Sequence, residues 1–389
     1  MDLPFLMLLL LLLGIGLIMM FSASYASAYY DSSNTVRNDP MYYIKRQAFF
    51  SFAGLIFMYI VSRIDYQYLR PLSIFILGFA MILLLLVLIP GFHTVRTDGV
   101  KRWFRSMGPI PSFQPSEIAK VALVIFFAAR LSKRDSEKKK RFTNRTLTGR
   151  TLNRLEKIGF LELVPYGAVL GTILVLVVLE PHMSGCILIM VGAASVLFVA
   201  GIHLGWFISA GSLAIAALTY IVFNTKYMTN RINLWLDPWT DPTGLGYQTI
   251  QSLYAIGSGG LLGLGLGKSK QKFLYIPEPE NDFVFPIVVE ELGFIGGALV
   301  LLLFALLILR GYWLALHARD KFGTLIIVGF ITLLAVQVFL NVGVVTNLIP
   351  NTGISLPFFS YGGTALMIHL AEMGVILSIS RQIQAPKKD

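Results

Sequence analysis

The residues with the clearest potential for chemistry lie in one segment that is rich in glycine, lysine and acidic side chains. The run GSGGLLGLGLG at 257–267 is followed by Lys268 and Lys270, and a proline-containing stretch then leads to Asp282. A lone carboxylate with cations nearby can act as a general base for a hydroxyl nucleophile. An aspartate just before a helix can instead cap that helix. From the residues alone, both interpretations of Asp282 stay open.

The glycine-rich run is not a nucleotide-binding loop of the Walker A type. That motif places its first glycine five residues before the Gly-Lys pair, and Leu262 occupies that position. We expect glycine here to permit a re-entrant turn and a close approach of backbone to a ligand or a helix.

Ionisable residues within apolar segments are a second group of candidates, because charge inside a membrane is costly and is often functional. Glu117 and Lys120 lie three residues apart, which places them on one helical face, close enough to pair. We expect the pair to line a substrate cavity, and a purely structural ion pair is the alternative. The same pattern allows either function or interhelical hydrogen bonding for further polar residues, namely Glu290, Glu291, Gln337, Asn341, His369 and Glu372.

The composition shows what kind of molecule must position these residues. Of 389 residues, 56% are hydrophobic and 14% are charged, and the mean hydropathy is +0.71. These values exclude a soluble enzyme and a disordered chain, and the single Cys186 excludes an internal disulfide scaffold. We predict an all-α polytopic membrane protein with ten spanning helices, near 4–24, 46–64, 71–90, 115–132, 160–179, 184–202, 204–223, 284–309, 322–346 and 358–380.

The distribution of lysine and arginine predicts the orientation of the chain. The strongly basic loop at about 133–157 is expected in the cytoplasm, with both termini, and the long loop at about 224–283 is expected outside. The net charge of +11 therefore indicates basic loops and anionic lipid rather than nucleic acid. Cations also lie on the outer side, and four of them are candidates for binding phosphate: Arg102, Arg231, Lys268 and Lys270.

Several motifs resemble those of the SEDS family of bacterial cell-wall proteins, whose members include FtsW, RodA and SpoVE. The similarity runs over roughly residues 40–380, with some preference for the FtsW and SpoVE branch. The most specific motifs are QPSEIAK at 114–120, LDPWTDPTGLGYQTIQSLYAIGSGG in the long loop, YIPEPENDFVFPIVVEELGFIGG ending at 297, and NVGVVTNLIPNTGISLPFFSYGG at 341–363.

This resemblance implies one membrane domain over residues 1–389 and a peptidoglycan glycosyltransferase that polymerises lipid II. It aligns Asp282 with the essential aspartate of the family and Glu117 and Lys120 with its conserved pair, and Ser360 in SLPFFSYGG joins the substrate-binding candidates. Direct displacement would invert the anomeric centre. The developing charge on the pyrophosphate needs the outer cations or a divalent cation such as Mg²⁺ or Mn²⁺.

The resemblance further implies lipid II and an undecaprenyl-pyrophosphate-linked glycan as substrates, and a class B penicillin-binding protein as the transpeptidase partner in the bacterial cytoplasmic membrane. Two departures stand out: EPHMSG at 180–185 replaces a QPDLGT-like stretch, and the basic loop is unusually long. A lipid II flippase and a non-catalytic scaffold of a division or elongation complex are the competing hypotheses. The sequence leaves a role in division, elongation or sporulation open.

Overall fold

α-Helices are the main secondary structure of the part of the chain that the structure describes. The structure is a computed structural model that describes residues 1–33, 35–94, 102–106, 112–133, 160–224, 226–244 and 246–383. The described residues contain no β-strand, only an isolated antiparallel bridge between His93 and Phe104. Most of the basic loop predicted at 133–157 lies outside the described residues.

The described residues form twelve α-helices. In chain order they are α1 Leu3–Tyr30, α2 Tyr42–Arg63, α3 Leu69–Leu88, α4 Pro115–Leu131, α5 Phe160–Leu179, α6 Met183–Val199, α7 Leu204–Asn224, α8 Lys226–Leu236, α9 Tyr247–Ser258, α10 Val284–Leu316, α11 Lys321–Val345 and α12 Gly363–Arg381. Two 3₁₀ turns, Tyr66–Tyr68 and Pro238–Thr240, precede α3 and α9.

Each of the ten predicted spans coincides with a helix, and the two additional helices, α8 and α9, lie in the predicted long loop. Within the described residues, six helical segments are long and apolar enough to cross a membrane: Leu3–Tyr30, Tyr42–Arg63, Tyr66–Leu88, Val284–Leu316, Lys321–Val345 and Gly363–Arg381. The chain is therefore an all-α, multi-pass membrane protein. The count of ten spans and the side on which the long loop lies stay predictions.

The helices divide into two compact units, each assembled from separate stretches of the chain. The first unit comprises Met1–Ser62, Leu213–Gly311 and Leu334–Leu377, and the second comprises Arg63–Ser212, Tyr312–Leu333 and Ser378–Asp389. The prediction of a single membrane domain stays a prediction.

In the first unit, Asp2 caps the N-terminus of α1 and also forms an ion pair with α10. The Asp2 side chain accepts a hydrogen bond from the Phe5 backbone N–H at 3.0 Å, which satisfies one of the free donors of the first turn. The Arg310 guanidinium of α10 donates to the same carboxylate, with Nε 3.0 Å from Asp2 Oδ1. This ion pair connects the N-terminal end of α1 to the C-terminal part of α10.

In the second unit, α4 packs against α3 and α6. An aspartate just before α11 accepts hydrogen bonds from residues in and next to the 3₁₀ turn Tyr66–Tyr68. Asp320 accepts hydrogen bonds from the Tyr66 hydroxyl at 2.6 Å, from Gln67 Nε2 at 3.0 Å and from Arg70 at 3.0 Å. Burial opposes ionisation of Asp320, but these donors outweigh burial, so its pKa lies below the ordinary value.

Helix α10 is interrupted at Gly293, and the glycine-rich segment of residues 257–267 fills the break. Gly293 has φ 73° and ψ −177°, a conformation that is essentially confined to glycine. The interruption frees backbone groups on both sides. They bond to the glycine-rich segment in four places: Leu264 N to Glu290 O, Gly265 N to Glu291 O, Phe294 N to Gly260 O and Ile295 N to Leu261 O, at 2.8–3.2 Å.

This contact leaves no room for a side chain. A β-carbon on Gly293 would lie 2.3 Å from the Leu261 carbonyl oxygen and 2.4 Å from the Gly263 backbone nitrogen. Both are backbone atoms, which cannot move aside as the end of a flexible side chain can. Close approach of glycine backbone to a helix, one of the two roles expected for this segment, is therefore confirmed.

We predict that Gly293→Ala strongly destabilises the protein. The positive φ alone costs about 1–3 kcal/mol in a residue other than glycine, and the overlap with backbone adds to that cost. The midpoint of thermal unfolding of the purified protein in detergent measures the effect.

Gly78→Ala is the matched control, because Gly78 lies inside α3 and its added β-carbon would meet no atom within 4 Å. Alanine favours helix over glycine by about 0.5–1 kcal/mol, so the control variant should be neutral or slightly stabilised. Equal unfolding midpoints for the two variants would contradict the proposed packing of the glycine-rich segment.

Candidate active site

Asp282 ends a segment of turns and bends and lies two residues before α10 begins at Val284. Its side chain is partly exposed, and its backbone carbonyl accepts a hydrogen bond from Asn341 Nδ2 of α11 at 2.8 Å. The same Asn341 nitrogen donates to the Ile354 carbonyl at 2.7 Å. A β-carbon built on Gly353 would lie 3.6 Å from Asp282 Oδ2. The turn at 351–354 therefore faces the carboxylate, and a capping role stays open beside a catalytic one.

Two adjacent glutamates hold the segment that leads to Asp282. We call Glu290 and Glu291 of α10 the glutamate clamp. Glu291 accepts hydrogen bonds from the Gly267 N–H at 2.9 Å and the Ser269 N–H at 3.2 Å. Glu290 accepts from the Ser269 hydroxyl and from the Lys270 N–H at 3.0 Å. Both glutamates therefore accept hydrogen bonds from the loop backbone. These bonds are charge-assisted, which makes them stronger than bonds between neutral groups.

Lys272 completes this buried network. Its ammonium lies 3.0 Å from Glu291 Oε1 and also donates to the Ser22 hydroxyl of α1 at 3.1 Å and to the Gly267 carbonyl at 2.6 Å. Lys272 comes from the same lysine-rich stretch as Lys268 and Lys270, but the structure buries it, with 3% of its surface exposed. A buried ammonium needs a carboxylate partner, and Glu291 supplies it.

Lys268 and Lys270, by contrast, have exposed side chains on the backbone that the clamp immobilises. Arg231 of α8 donates to the Asn351 carbonyl, which places it beside the turn that faces Asp282. Ser360 is buried, and its hydroxyl accepts from the Leu356 N–H at 2.7 Å while its carbonyl accepts from Gln47 Nε2 at 3.1 Å. These contacts stabilise a turn, and the substrate-binding role of Ser360 stays a prediction.

Glu280 is a buried acid, two residues before Asp282, that the sequence did not single out. Only 4% of its surface is exposed, and its backbone carbonyl accepts the Tyr361 N–H at 2.7 Å. Burial raises the pKa of the Glu280 carboxyl to about 7, even though the hydroxyls of Ser27 and Tyr43 bond to it. Its position in an acidic, proline-containing loop is the one sequence signal that could have indicated it.

The second unit contains a separate polar cluster around the predicted pair. Lys120 Nζ lies 2.7 Å from Glu117 Oε2, so the predicted ion pair of α4 is confirmed as a contact. The His182 ring nitrogen Nδ1 lies 3.1 Å from the Ser116 hydroxyl. Arg102 donates to the Pro181 carbonyl.

The EPHMSG departure contributes two buried titratable groups to this cluster. Burial raises the pKa of Glu180 to about 8 and, together with the charge of Arg102, lowers the pKa of His182 to about 4. Both side chains are therefore predominantly neutral near pH 7, Glu180 protonated and His182 deprotonated. The departure replaces an expected aspartate with uncharged groups.

The structure thus places the predicted site residues in two sets. Asp282, Arg231, Lys268, Lys270 and Ser360 belong to the first unit, and Glu117, Lys120 and Arg102 belong to the second. The part of the chain that the structure describes contains no group of three or more histidine, cysteine, aspartate or glutamate side chains that could hold a metal ion. The catalytic and substrate-binding roles, and the divalent cation, stay predictions.

Comparison with known proteins gives a family match over nearly the whole chain. The sequence profile of the FtsW/RodA/SpoVE family, described as "Cell cycle protein", matches residues 3–385. The chain is 42% identical over 381 residues to stage V sporulation protein E of Bacillus subtilis, covering 98% of this chain and 97% of the relative. It is 38% identical over 384 residues to the probable peptidoglycan glycosyltransferase FtsW of Geobacter metallireducens, covering 98% of this chain and 95% of the relative.

A solved structure shares the fold. It is described as the structural coordination of polymerization and crosslinking by a peptidoglycan synthase complex, and one of its chains matches with a TM-score of 0.75 and 27% identity. The match covers 100% of this chain and 99% of the solved one.

We predict that Glu291→Gln destabilises the protein by about 3–5 kcal/mol, because it leaves the Lys272 ammonium buried without its carboxylate. The unfolding midpoint in detergent measures this effect. A second change, Lys272→Gln in the same chain, should recover part of the loss because it removes the uncompensated charge.

Glu278→Gln is the control for that series, since Glu278 lies on the same loop with an exposed side chain. It should leave the midpoint nearly unchanged. A Glu291→Gln midpoint as high as that of the control would show that the clamp contributes little.

Glu280 predicts a pH dependence of stability with a definite sign. The folded pKa is about 7, against an ordinary value of 4.5, so the folded protein holds more protons than the unfolded chain between these values. Stability should therefore fall by up to ~3 kcal/mol as pH rises from about 4.5 to about 7, and then level off. Unfolding midpoints of wild type and Glu280→Gln, measured across this range, test the assignment. The Gln variant should lose that part of the slope, and an unchanged slope would refute it.

Proposed function

Because the chain belongs to the FtsW/RodA/SpoVE family, we propose that it is a peptidoglycan glycosyltransferase that polymerises lipid II at the outer face of the cytoplasmic membrane. The observation that carries this proposal is the position of Asp282. Its carboxylate is partly exposed at the end of a loop that the glutamate clamp and Asn341 hold in place. A catalytic base needs both accessibility and a supported backbone.

Asp282 is the proposed general base. The reaction joins a lipid-pyrophosphate-linked glycan to the 4-hydroxyl of an acceptor sugar on a second lipid II. The acceptor oxygen forms the new bond to the anomeric carbon and loses its proton to the Asp282 carboxylate, while the bond to the pyrophosphate breaks. Direct displacement converts an α-linked donor into a β-linked polymer. General base catalysis of this kind contributes about 10²–10⁴ to the rate.

The prenyl pyrophosphate leaves as an anion, and cations on the same unit are the proposed source of its stabilisation. Lys268 and Lys270 are exposed on the held loop, and Arg231 lies beside the turn that faces Asp282. Charge-assisted bonds to phosphate oxygens stabilise the charge that develops there. A divalent cation such as Mg²⁺ or Mn²⁺ is the alternative, and adding a chelator to the polymerisation assay separates the two.

The membrane location suits a substrate of this kind, because the prenyl tail belongs in hydrocarbon and the sugars belong at the headgroup level. We place both termini in the cytoplasm, as the distribution of basic residues indicates. Glu117, Lys120 and Arg102 of the second unit keep a proposed substrate-binding role. Their paired charges would suit a polar headgroup.

A class B penicillin-binding protein is the proposed partner, because a glycan polymer needs crosslinking by a transpeptidase. The matched solved chain comes from a peptidoglycan synthase complex that coordinates polymerization and crosslinking. That similarity supports a complex of the same kind for this chain.

We predict that Asp282→Asn abolishes polymer formation from labelled lipid II by the purified protein with its cognate penicillin-binding partner. Asparagine keeps the shape of the side chain but cannot accept the proton, so the rate should fall by at least about 10²-fold. Gel separation of the labelled products measures the polymer.

Glu278→Gln is the control, because it removes an exposed carboxylate four residues away on the same loop. It should polymerise like wild type. Polymer formation by Asp282→Asn would support the glycosyltransferase activity but would contradict the role of Asp282 as its general base. Absence of polymer from wild type with its partner would favour the lipid II flippase or the non-catalytic scaffold.

A further inference from the structure

A cavity of about 340 Å³ in the first unit has a distinctive lining. Two aromatic rings and four carboxamides contribute to its wall: Trp235, Tyr247, Asn230, Gln248, Asn347 and Asn351. Its volume falls in the range of about 300–1,000 Å³ that is usual for small-molecule sites. The lining includes one cation, Arg231, and no acidic residue.

This lining suits a neutral sugar better than an anion. An aromatic ring offers a flat apolar surface, which matches the C–H face of a pyranose ring. A carboxamide carries two N–H donors and one oxygen acceptor, and those that are not used within the wall match hydroxyl groups and, above all, an acetamido group. A phosphate or a peptide carboxylate would be expected to meet several cations instead.

The wall is held in place before any ligand binds. The Trp235 indole N–H donates to the Asn347 carbonyl at 3.1 Å, and the Asn347 side-chain amide donates back to the Trp235 carbonyl at 3.2 Å. Gln248 Nε2 donates to the Pro277 carbonyl at 3.1 Å. This reciprocal bonding fixes α8 and α9 to the two loops that they face. A site with its polar groups already oriented loses less entropy on binding.

Both of those loops lead directly to the proposed base. Pro277 lines the cavity, and from it the chain reaches Asp282 through a short run of bends and turns. Asn351 also lines the cavity, and Gly353, two residues further on, lies against the Asp282 carboxylate. A sugar chain that reacts at Asp282 would therefore have its neighbouring unit at this cavity.

We propose that the cavity lined by Trp235, Tyr247 and Gln248 is a subsite for an acetamido sugar adjacent to the unit that reacts at Asp282. This inference rests on the proposed glycosyltransferase function and names the part of the substrate that the site would hold. Trp235 stacks on the sugar ring, and the carboxamides bind its acetamido and hydroxyl groups.

Direct binding tests the subsite independently of catalysis. The probe is the β-1,4-linked dimer of N-acetylglucosamine, and cellobiose, the same dimer without acetamido groups, is the comparison. Saturation-transfer NMR on the full-length protein in nanodiscs, in the Asp282→Asn background, should show binding of the acetamido dimer and weaker binding of cellobiose. Trp235→Ala should abolish the signal, and Trp235→Phe should keep part of it.

Trp239→Ala is the matched control. Trp239 is an exposed tryptophan in the 3₁₀ turn that follows α8; it packs edge-on against Tyr254 and does not line the cavity. It should bind the probe like the parent protein. Equal signals from Trp235→Ala and the parent, or no signal from the parent with either dimer, would overturn the subsite. Binding of a soluble stem peptide in place of the sugar would overturn it too.

Polymerisation kinetics separate failure of the subsite from failure of the proposed function. With the penicillin-binding partner, Gln248→Ala and Trp235→Phe should raise KM for lipid II roughly fivefold to tenfold, with kcat changed less, since each removes about one binding contact. Unchanged KM in both variants, with an active wild type, would reject the subsite and leave the glycosyltransferase standing. An inactive wild type that still binds the acetamido dimer would reject the function but keep the sugar site.

Discussion

The interruption of α10 at Gly293 imposes a constraint on which the geometry around Asp282 depends. Backbone groups released by the break must find partners, because an unsatisfied group buried in a membrane protein costs several kcal/mol. The glycine-rich segment supplies those partners at 2.8–3.2 Å, and it can approach so closely because Gly293 and Gly263 have no side chains. The loop that ends at Asp282 therefore begins at a segment that is hydrogen-bonded in place against α10.

The charged residues of the first unit fall into two groups: some hold the loop backbone in place, and others are exposed and available to a substrate. Glu290, Glu291 and Lys272 are almost fully buried and bond to one another or to loop backbone. Lys268 and Lys270 come from the same stretch of chain, yet their side chains are exposed. Alternation between buried and exposed groups lets one short segment be rigid and still offer cations to an anionic leaving group.

Much of this could be predicted from the sequence. Long apolar runs predicted ten helical segments, and the structure has a helix at each of them. A run of about 20 apolar residues has few alternatives to a helix in a membrane. The three-residue spacing of Glu117 and Lys120 predicted their ion pair. By contrast, the burial of Lys272 and Glu280 was not predicted, since nothing in the local pattern distinguishes them from the exposed lysines and acids beside them.

By itself the sequence determined the class of the protein, its helices and the motifs that identify its family, because these depend on local hydropathy and on short runs of residues. Tertiary structure alone decided which charges are buried, how α10 is broken and filled, and that Trp235, Gln248 and Asn351 line one cavity. Those features join residues that are far apart in the chain: Trp235 and Asn347 are separated by 112 positions, and Lys272 and Ser22 by 250. Hydrogen-bond partners at that separation are set by packing, which no local pattern encodes.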